Sequence, residues 1–324
     1  MADFFVGNND KIDFQDLMGH RVHEILLVAS PYDAFILEED GHLTEQILTE
    51  YIGMNFNYAP RVTRVRTGYQ AMQIIKKKKF DLVILMLRIE DQDPISLGKK
   101  IKDLYPKKPV ILLAFDETEL KQLPNNISPN AINRVFIWSG DAIVFPAIIK
   151  YIEDRKNAKQ DIINGDVRAI LVIEDSPRMY SVLLPLIYKE IIYQTKNLMD
   201  ASLSQSQRLL HLRGRPKILL TPNYETAQKF FKQFKKNMIG VNTHRANKIV
   251  HHGLKNNLIK ELKNNDKINS EVFFDKETRF DFLIEKKDQK SFIEVKNVTL
   301  NRDKKIAEFP DAITTRGSKH LHQE

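Results

Sequence analysis

Three charged residues near the end of the chain have the types and spacing of a metal-dependent hydrolytic site. Asp281 lies between two phenylalanines in the β-rich segment Arg279–Glu285. Glu294 and Lys296 lie two residues apart in the next such segment, Ser291–Val298. The polar residues between the segments predict a turn, and the two segments therefore predict a hairpin. Residues two apart on a strand share a face, so Glu294 and Lys296 are expected side by side.

A carboxylate set between core residues loses hydration and needs a cation or a basic partner. Carboxylate oxygens suit Mg²⁺ and Mn²⁺, and a bound divalent ion activates water and neutralises a phosphate group. Lys296 would position or deprotonate that water, or stabilise the pentacovalent phosphorus. The same three residues also fit an ordinary amphipathic hairpin, in which Glu294 and Lys296 form a surface ion pair. Both interpretations stay open on these residues alone.

The sequence around these residues favours the metal-dependent site. It contains four blocks in order, VNT-x-x-AN, RFDFL, EVKNVTL and FPDA-x-T-x-RG-x-KHL, between Ile239 and Leu321. These blocks resemble the sugar fermentation stimulation protein family, SfsA, and the Asp…Glu-x-Lys pattern resembles the restriction-endonuclease-like nucleases. The resemblance implies a Mg²⁺- or Mn²⁺-dependent DNA or RNA nuclease with Asp281, Glu294 and Lys296 as its catalytic set. It also implies Asp281, Glu294 and the Val295 carbonyl as metal ligands, with Glu271 as an accessory ligand.

Several polar residues of the same blocks are predicted to contact nucleic-acid phosphates: Asn242, Arg245, Asn247, Arg279, Arg316 and Lys319. Asp311 is a further accessory candidate, on the same predicted helix face as Arg316 and Lys319. Asn242 or Thr243 is equally consistent with an N-cap of the following helix. His251 and His252 have no third ligand at metal spacing and are expected on a helix surface.

The first half of the chain alternates apolar runs with amphipathic stretches. Between His23 and Asp154 strand and helix alternate five times, which predicts a doubly wound parallel sheet. This (βα)5 order resembles the receiver domain of response regulators. A working receiver needs acidic residues after the first strand and an aspartate that ends the third, but the sequence has Ala29-Ser30-Pro31-Tyr32 and Met86 there. Ala114 and Trp138 occupy the other two polar positions. We therefore expect a pseudo-receiver with no phosphoacceptor.

A polar linker at 157–166 is expected to precede a second, incomplete receiver-like unit. Its predicted elements are the strand Arg168–Asp175, the helix Met179–Leu198, the strand Ile218–Thr221 and the helix Tyr224–Lys236. The pattern breaks at Asn237–Val241, where a third strand would start. Glu174 and Asp175 are expected as a polar strand end. The elements FIWSGD and VIEDS resemble the regulatory part of phosphoenolpyruvate synthase-like proteins.

The expected organisation is an α/β protein with an extension at 1–22, a pseudo-receiver at 23–156, the linker, the incomplete unit at 167–240 and a C-terminally truncated, restriction-endonuclease-like α/β fragment at 241–324. The chain has 324 residues, no cysteine and a net charge of +8, which excludes thiolate zinc sites and favours nucleic acid as partner. No secretory signal or membrane span is visible, so a cytoplasmic location is expected. Three functions stay open: the nuclease, a non-enzymatic scaffold that binds a protein through its pseudo-receivers, and an inert chimera.

Overall fold

The structure, a computed structural model, describes residues 17–39, 45, 49, 59–121, 123–124, 127–138, 140, 143–197, 204, 207, 211–234, 245–275, 278–287, 289–297, 300–303 and 306–308. The chain divides into two units, one of residues 10–235 and one that contains residues 236–324. No helix among the described residues has the length and apolar character needed to cross a membrane.

The first unit is built on a five-stranded parallel sheet. Its strands are β1 (Glu24–Val28), β2 (Arg61–Val65), β3 (Leu82–Met86), β4 (Val110–Ala114) and β5 (Arg134–Ile137). The strand order is β2-β1-β3-β4-β5, the flavodoxin-like doubly wound order that receiver domains share. Every residue of β3 and β4 is buried, which explains their continuous apolar sequences, because helices cover both faces of such a sheet. The predicted receiver-like fold is confirmed.

Among the described residues, five helices accompany this sheet: α1 (Pro31–Glu39), α2 (Gly68–Lys77), α3 (Pro94–Leu104), α4 (Glu117–Leu120) and α5 (Val144–Ile163). The predicted cap of α2 is confirmed, since the Thr67 hydroxyl accepts a hydrogen bond from the Gln70 N–H at 3.1 Å. The helix predicted at Leu37–Met54 lies mostly outside the described residues. Helix α1 begins earlier, at Pro31, after Ser30, whose Oγ accepts from the Asp33 N–H at 3.1 Å. A serine cap followed by proline is a helix start that the strand interpretation of His23–Ser30 obscured.

The predicted linker at 157–166 is wrong over most of its length, because α5 continues to Ile163. Two of the polar residues that suggested a linker, Asn157 and Asp161, are buried and paired. Asn157 exchanges hydrogen bonds with the backbone of His20 at 2.9 and 2.7 Å. Asp161 accepts the Met18 N–H at 3.2 Å and pairs with Lys217 at 3.0 Å. Asn157 and Asp161 thus lie on a buried helix face because the chain before β1 and Lys217 supply their partners.

The next segment forms a two-stranded parallel sheet of β6 (Ala169–Ile173) and β7 (Lys217–Thr221), with helices α6 (Pro177–Asn197) and α7 (Tyr224–Phe234). It shares one core with the five-stranded sheet, since Tyr180, Leu184 and Ile218 pack with residues of β1, β3 and β5. The predicted boundary between 23–156 and 167–240 therefore does not separate two cores. The expected break at Asn237–Val241 lies outside the described residues.

Helix α6 covers the edge of β5. The Tyr180 hydroxyl donates to the Val135 carbonyl, and the Ser181 Oγ accepts from the Ile137 N–H at 2.9 Å. Side chains thus take the hydrogen-bonding places of a sixth strand. An exposed edge invites pairing with another chain, and here two side chains of the second segment satisfy it.

A buried charge network joins α5 to this segment. Asp154 is fully buried and accepts both guanidinium nitrogens of Arg215, at 2.8 and 3.0 Å. It also accepts the Ile218 N–H at 2.9 Å and the Tyr188 hydroxyl at 3.1 Å. Next to it, burial lowers the pKa of Lys217 to about 8, an effect that Arg215 increases and Asp161 opposes. Arg215 and Lys217 each have an opposite charge beside them, which is the condition for burying such charges. The Arg215 Nε is buried without a hydrogen-bond partner among the described residues.

The second unit contains α8 (Ala246–Lys255), a 3₁₀ turn (Lys260–Leu262) and a three-stranded antiparallel sheet of order β10-β9-β8. The strands are β8 (Lys267–Phe273), β9 (Arg279–Lys286) and β10 (Gln289–Ile293), and β11 (Leu300–Asp303) pairs separately with β12 (Ile306–Glu308). Leu254 of α8 packs on Phe282 and Ile284 of β9. The predicted hairpin is present as β9 and β10.

Candidate functional site

Asp281 lies in β9, and its carboxylate accepts hydrogen bonds from one side-chain donor and one backbone donor. The Asn247 amide at the start of α8 donates to Oδ1 at 2.7 Å. The Val295 N–H donates to Oδ2 at 2.7 Å. Packing of α8 on β9 through Leu254 and Phe282 brings Asn247 within reach. Each carboxylate oxygen has a second lone pair, so the held carboxylate can still accept a cation.

Glu294 and Lys296 follow β10 directly. The strand predicted at Ser291–Val298 ends earlier, at Ile293, because the Val295 N–H bonds to the Asp281 side chain rather than to a backbone carbonyl of β9. Ile293 pairs with Phe282, so Glu294 is the next residue across from Asp281. The Lys296 ammonium lies 3.0 Å from Glu294 Oε1, with the lysine side chain 52% and the glutamate side chain 29% exposed.

Two carboxylates across from each other on neighbouring strands repel unless a cation lies between or beside them. Lys296 supplies part of that charge on the Glu294 side, and Asn247 and Val295 supply dipoles on the Asp281 side. The donor set of two carboxylates fits a hard divalent ion with oxygen ligands. Among the described residues no group of three histidine, cysteine or acidic side chains is placed to hold a metal, so any such ion would rely on backbone oxygen and water for its other ligands.

Glu271 does not join this pair. Ser270 and Val272 pair with the residues on either side of Asp281, so Glu271 lies across from Asp281 on β8. Its φ of +55° interrupts the pairing at this position, and its carboxylate binds Arg279 at 3.0 Å. A positive φ is uncommon for glutamate. Glu271, the predicted accessory ligand, and Arg279, a predicted phosphate contact, thus form an ion pair with each other.

The other predicted residues divide between α8 and the part of the chain that is not described. Arg245 precedes α8 and makes no capping hydrogen bond with its side chain. His251 is exposed on α8 and stacks on Phe282, with ring centroids 5.8 Å apart, and His252 is exposed beside it, as expected of a helix surface. Four predicted residues and the alternative N-cap Thr243 lie outside the described residues; the four are Asn242, Asp311, Arg316 and Lys319.

At the receiver-like sheet, the positions that carry chemistry in a working receiver hold buried apolar side chains. Met86 and Ala114 are 0% exposed and Trp138 is 5% exposed. Sequence patterns missed an acid nearby: Asp33, in the first turn of α1, is 1% exposed. Burial raises its pKa, and Arg88 lies 3.9 Å away while binding Glu119 at 2.9 Å.

Comparison with known proteins divides the chain in the same way. Residues 244–323 match the family model of the sugar fermentation stimulation protein RE domain. A sugar fermentation stimulation protein homolog from Pelagibacter ubique is 75% identical over 87 residues, which are 27% of this chain and 38% of that protein. One from Geotalea daltonii is 45% identical over 85 residues, 26% of this chain and 36% of that protein. The predicted resemblance to SfsA is confirmed for this segment, and the chain spans less than two-fifths of the length of these relatives.

For the first unit, the signal receiver domain of an HD domain-containing protein from Pseudomonas fluorescens Pf-5 aligns with 44% of this chain and 94% of that chain. The identity is 22% and the TM-score 0.33. The receiver-like assignment rests on the strand order and the burial of the sheet.

Proposed function

We propose that the C-terminal unit is a metal-dependent phosphodiesterase that acts on DNA or RNA in the cytoplasm. The observation that carries the proposal is the hairpin register, in which Phe282 pairs with Ile293, so that Asp281 and Glu294 are the next opposed residues, with Lys296 bound to Glu294 at 3.0 Å. The similarity of residues 244–323 to the sugar fermentation stimulation protein RE domain supports it.

In this proposal Asp281 and Glu294 bind Mg²⁺ or Mn²⁺, together with the Val295 carbonyl. A bound ion would lower the pKa of a coordinated water and neutralise charge on the scissile phosphate. Asn247 holds the Asp281 carboxylate through its 2.7 Å hydrogen bond and is a positioning residue rather than a phosphate contact. Lys296, more than half exposed, donates to the attacking water or to a phosphate oxygen.

Binding of the nucleic acid would draw on the net charge of +8 of the chain and on basic and polar side chains of the C-terminal unit. Arg245 and Arg279 are the described candidates, and Asn242, Arg316 and Lys319 are candidates outside the described residues. Asp311, which lies outside the described residues, remains an accessory candidate. Contacts of this kind release counterions, so binding should weaken steeply with salt.

The proposal is tested by incubating the full chain with single- and double-stranded DNA and RNA in Mg²⁺, Mn²⁺ or EDTA. Cleavage should require the metal and should be lost in Asp281→Asn, Glu294→Gln and Lys296→Ala. A matched control, Glu261→Gln in the exposed 3₁₀ turn, should cleave as the parent does. The absence of metal-dependent cleavage, or equal cleavage by Lys296→Ala, would rule the proposal out.

A second candidate function is a non-enzymatic regulatory or scaffolding role of the receiver-like unit. It is favoured by the buried apolar side chains at Met86, Ala114 and Trp138, which leave no room for phosphotransfer chemistry at these positions. In that case the C-terminal segment would be inert, and the three site variants would leave every measurable property of the chain except local stability unchanged.

A further inference from the structure

In the part of the chain that the structure describes, the strand β6 is the outer strand of the small parallel sheet and one of its edges is unpaired. Within the described residues its one sheet neighbour is β7. All residues of β7 are buried, whereas β6 is partly exposed along its whole length and Ile173 is 48% exposed. The side chain of Arg134, in β5 of the five-stranded sheet, reaches the Leu220 carbonyl of β7 at 3.5 Å. The inner strand of the pair is therefore β7, and β6 is the outer one.

The hydrogen bonds to β7 show which backbone groups of β6 face outward. The Arg168 carbonyl accepts the Lys217 N–H at 2.9 Å, and the Glu174 N–H donates to the Thr221 carbonyl at 2.9 Å. Successive residues of a strand direct their backbone groups to opposite edges. Even-numbered residues from Arg168 to Glu174 therefore face β7, and the odd-numbered residues Ala169, Leu171 and Ile173 present both N–H and C=O to the open edge.

We propose that β6 pairs antiparallel with β6 of a second copy of this chain, centred on Leu171. In this register Leu171 of one copy lies across from Leu171 of the other, and Ala169 lies across from Ile173. These are the residues whose backbone groups face the open edge, so each pair exchanges two hydrogen bonds. The arrangement closes with two-fold symmetry and joins two two-stranded sheets into one of four strands.

The charges at the two ends of β6 fit the same register. Arg168 of one copy lies across from Glu174 of the other, because both are three residues from Leu171 in opposite directions. Both side chains reach solvent, Arg168 being exposed and Glu174 half-buried. Directly opposed residues in the non-hydrogen-bonded pairs of an antiparallel ladder have the closest side chains, so two arginine–glutamate pairs form at once. A parallel pairing would instead set like ends together.

A second copy fits this edge better than an unrelated strand. An arbitrary extended peptide would satisfy the backbone groups of the edge. It would not in general carry an arginine at one end and a glutamate at the other end of a five-residue apolar run. The β6 sequence supplies its own complement, in register, from a strand that is already formed and held by β7.

The test is the association state of the full chain, measured by sedimentation across a range of concentrations. The parent chain should show a monomer–dimer equilibrium. Arg168→Glu and Glu174→Arg should each raise the dissociation constant by about tenfold, because two opposite-charge pairs become like-charge pairs. The double variant should restore the parent value. Glu225→Arg on α7, at an exposed position, is the matched control and should have no effect.

A monomer at every concentration would overturn the proposal, and so would a dimer that the single reversals leave unchanged or the double variant leaves weakened. Circular dichroism of each variant distinguishes lost pairing from lost folding, since Glu174 also accepts the Ser176 N–H at 2.9 Å.

The register has an independent test, because the chain has no cysteine of its own. In the proposed dimer the two Leu171 Cα atoms lie about 5.5 Å apart, within disulfide range. Leu171→Cys should therefore form a covalent dimer under mild oxidation, and faster than Tyr224→Cys, which is 64% exposed on α7. Equal rates for the two variants would count against the register.

Discussion

Replacing Asp154 by asparagine should lower the free energy of unfolding of residues 10–235 far more than a substitution at the surface does. Arg215 is fully buried, and its guanidinium binds both oxygens of Asp154, at 2.8 and 3.0 Å. Without the carboxylate, no opposite charge of the described residues lies at hydrogen-bonding distance from the buried cation. Breaking such a pair from one side costs about 3–5 kcal/mol, mainly because the remaining charge stays desolvated.

The loss is measurable in the fluorescence of Trp138, the one tryptophan in the sequence. Trp138 is 5% exposed and belongs to the core that β5, α5 and α6 share, so denaturant unfolding followed at this residue reports on the relevant unit. For a unit of this size, 1 kcal/mol changes the melting temperature by about 2–4 °C. Asp154→Asn should therefore melt roughly 10 °C lower than the parent chain.

Two controls define the cause. Glu117→Gln removes an exposed ion pair, 3.6 Å from Arg178 with side chains 68% and 53% exposed, and should cost less than about 0.5 kcal/mol. The double variant Asp154→Asn/Arg215→Met removes both buried charges and keeps an amide oxygen for the Ile218 N–H and the Tyr188 hydroxyl, so it should recover most of the loss. A loss below about 1 kcal/mol in Asp154→Asn, or a double variant as unstable as the single one, would refute the reasoning.

Three further predictions concern other parts of the molecule. The unfolded chain holds its lysine protons to about pH 10.4, whereas burial lowers the pKa of Lys217 to about 8. Between about pH 8 and 10 the unfolded state thus binds more protons, so the parent should gain stability relative to Lys217→Met as pH rises; a flat or falling difference in denaturant unfolding would contradict this. Asn247→Ala should weaken Mn²⁺ binding about tenfold in calorimetry, since the Asn247 amide holds the Asp281 carboxylate. The control Asn256→Ala should bind Mn²⁺ as the parent does. Equal affinities of the two variants would contradict a positioning role of Asn247. Acetyl phosphate should leave the intact mass unchanged, because Met86 occupies the third strand end; stable phosphate in residues 17–155 would contradict the pseudo-receiver.

The sequence alone was sufficient for the elements whose side-chain pattern reports their surroundings directly. Strands β3 and β4 are continuous apolar runs because both faces of a parallel sheet are covered. The hairpin of β9 and β10 could be predicted because it has one register that keeps Phe282 and Ile293 in the core. Local chemistry of this kind needs no knowledge of distant residues.

Tertiary structure decided everything that depends on partners far apart in the chain. Asn157 and Asp161 look like linker residues until His20, Met18 and Lys217 are seen beside them. Polar side chains on a helix carry no sign of whether protein or water will satisfy them. For the same reason, the sequence alone did not predict the Asn247 hydrogen bond to Asp281 or the burial of Asp33. The order of residues shows where polar groups lie along the chain, and only tertiary packing determines which partners they bind.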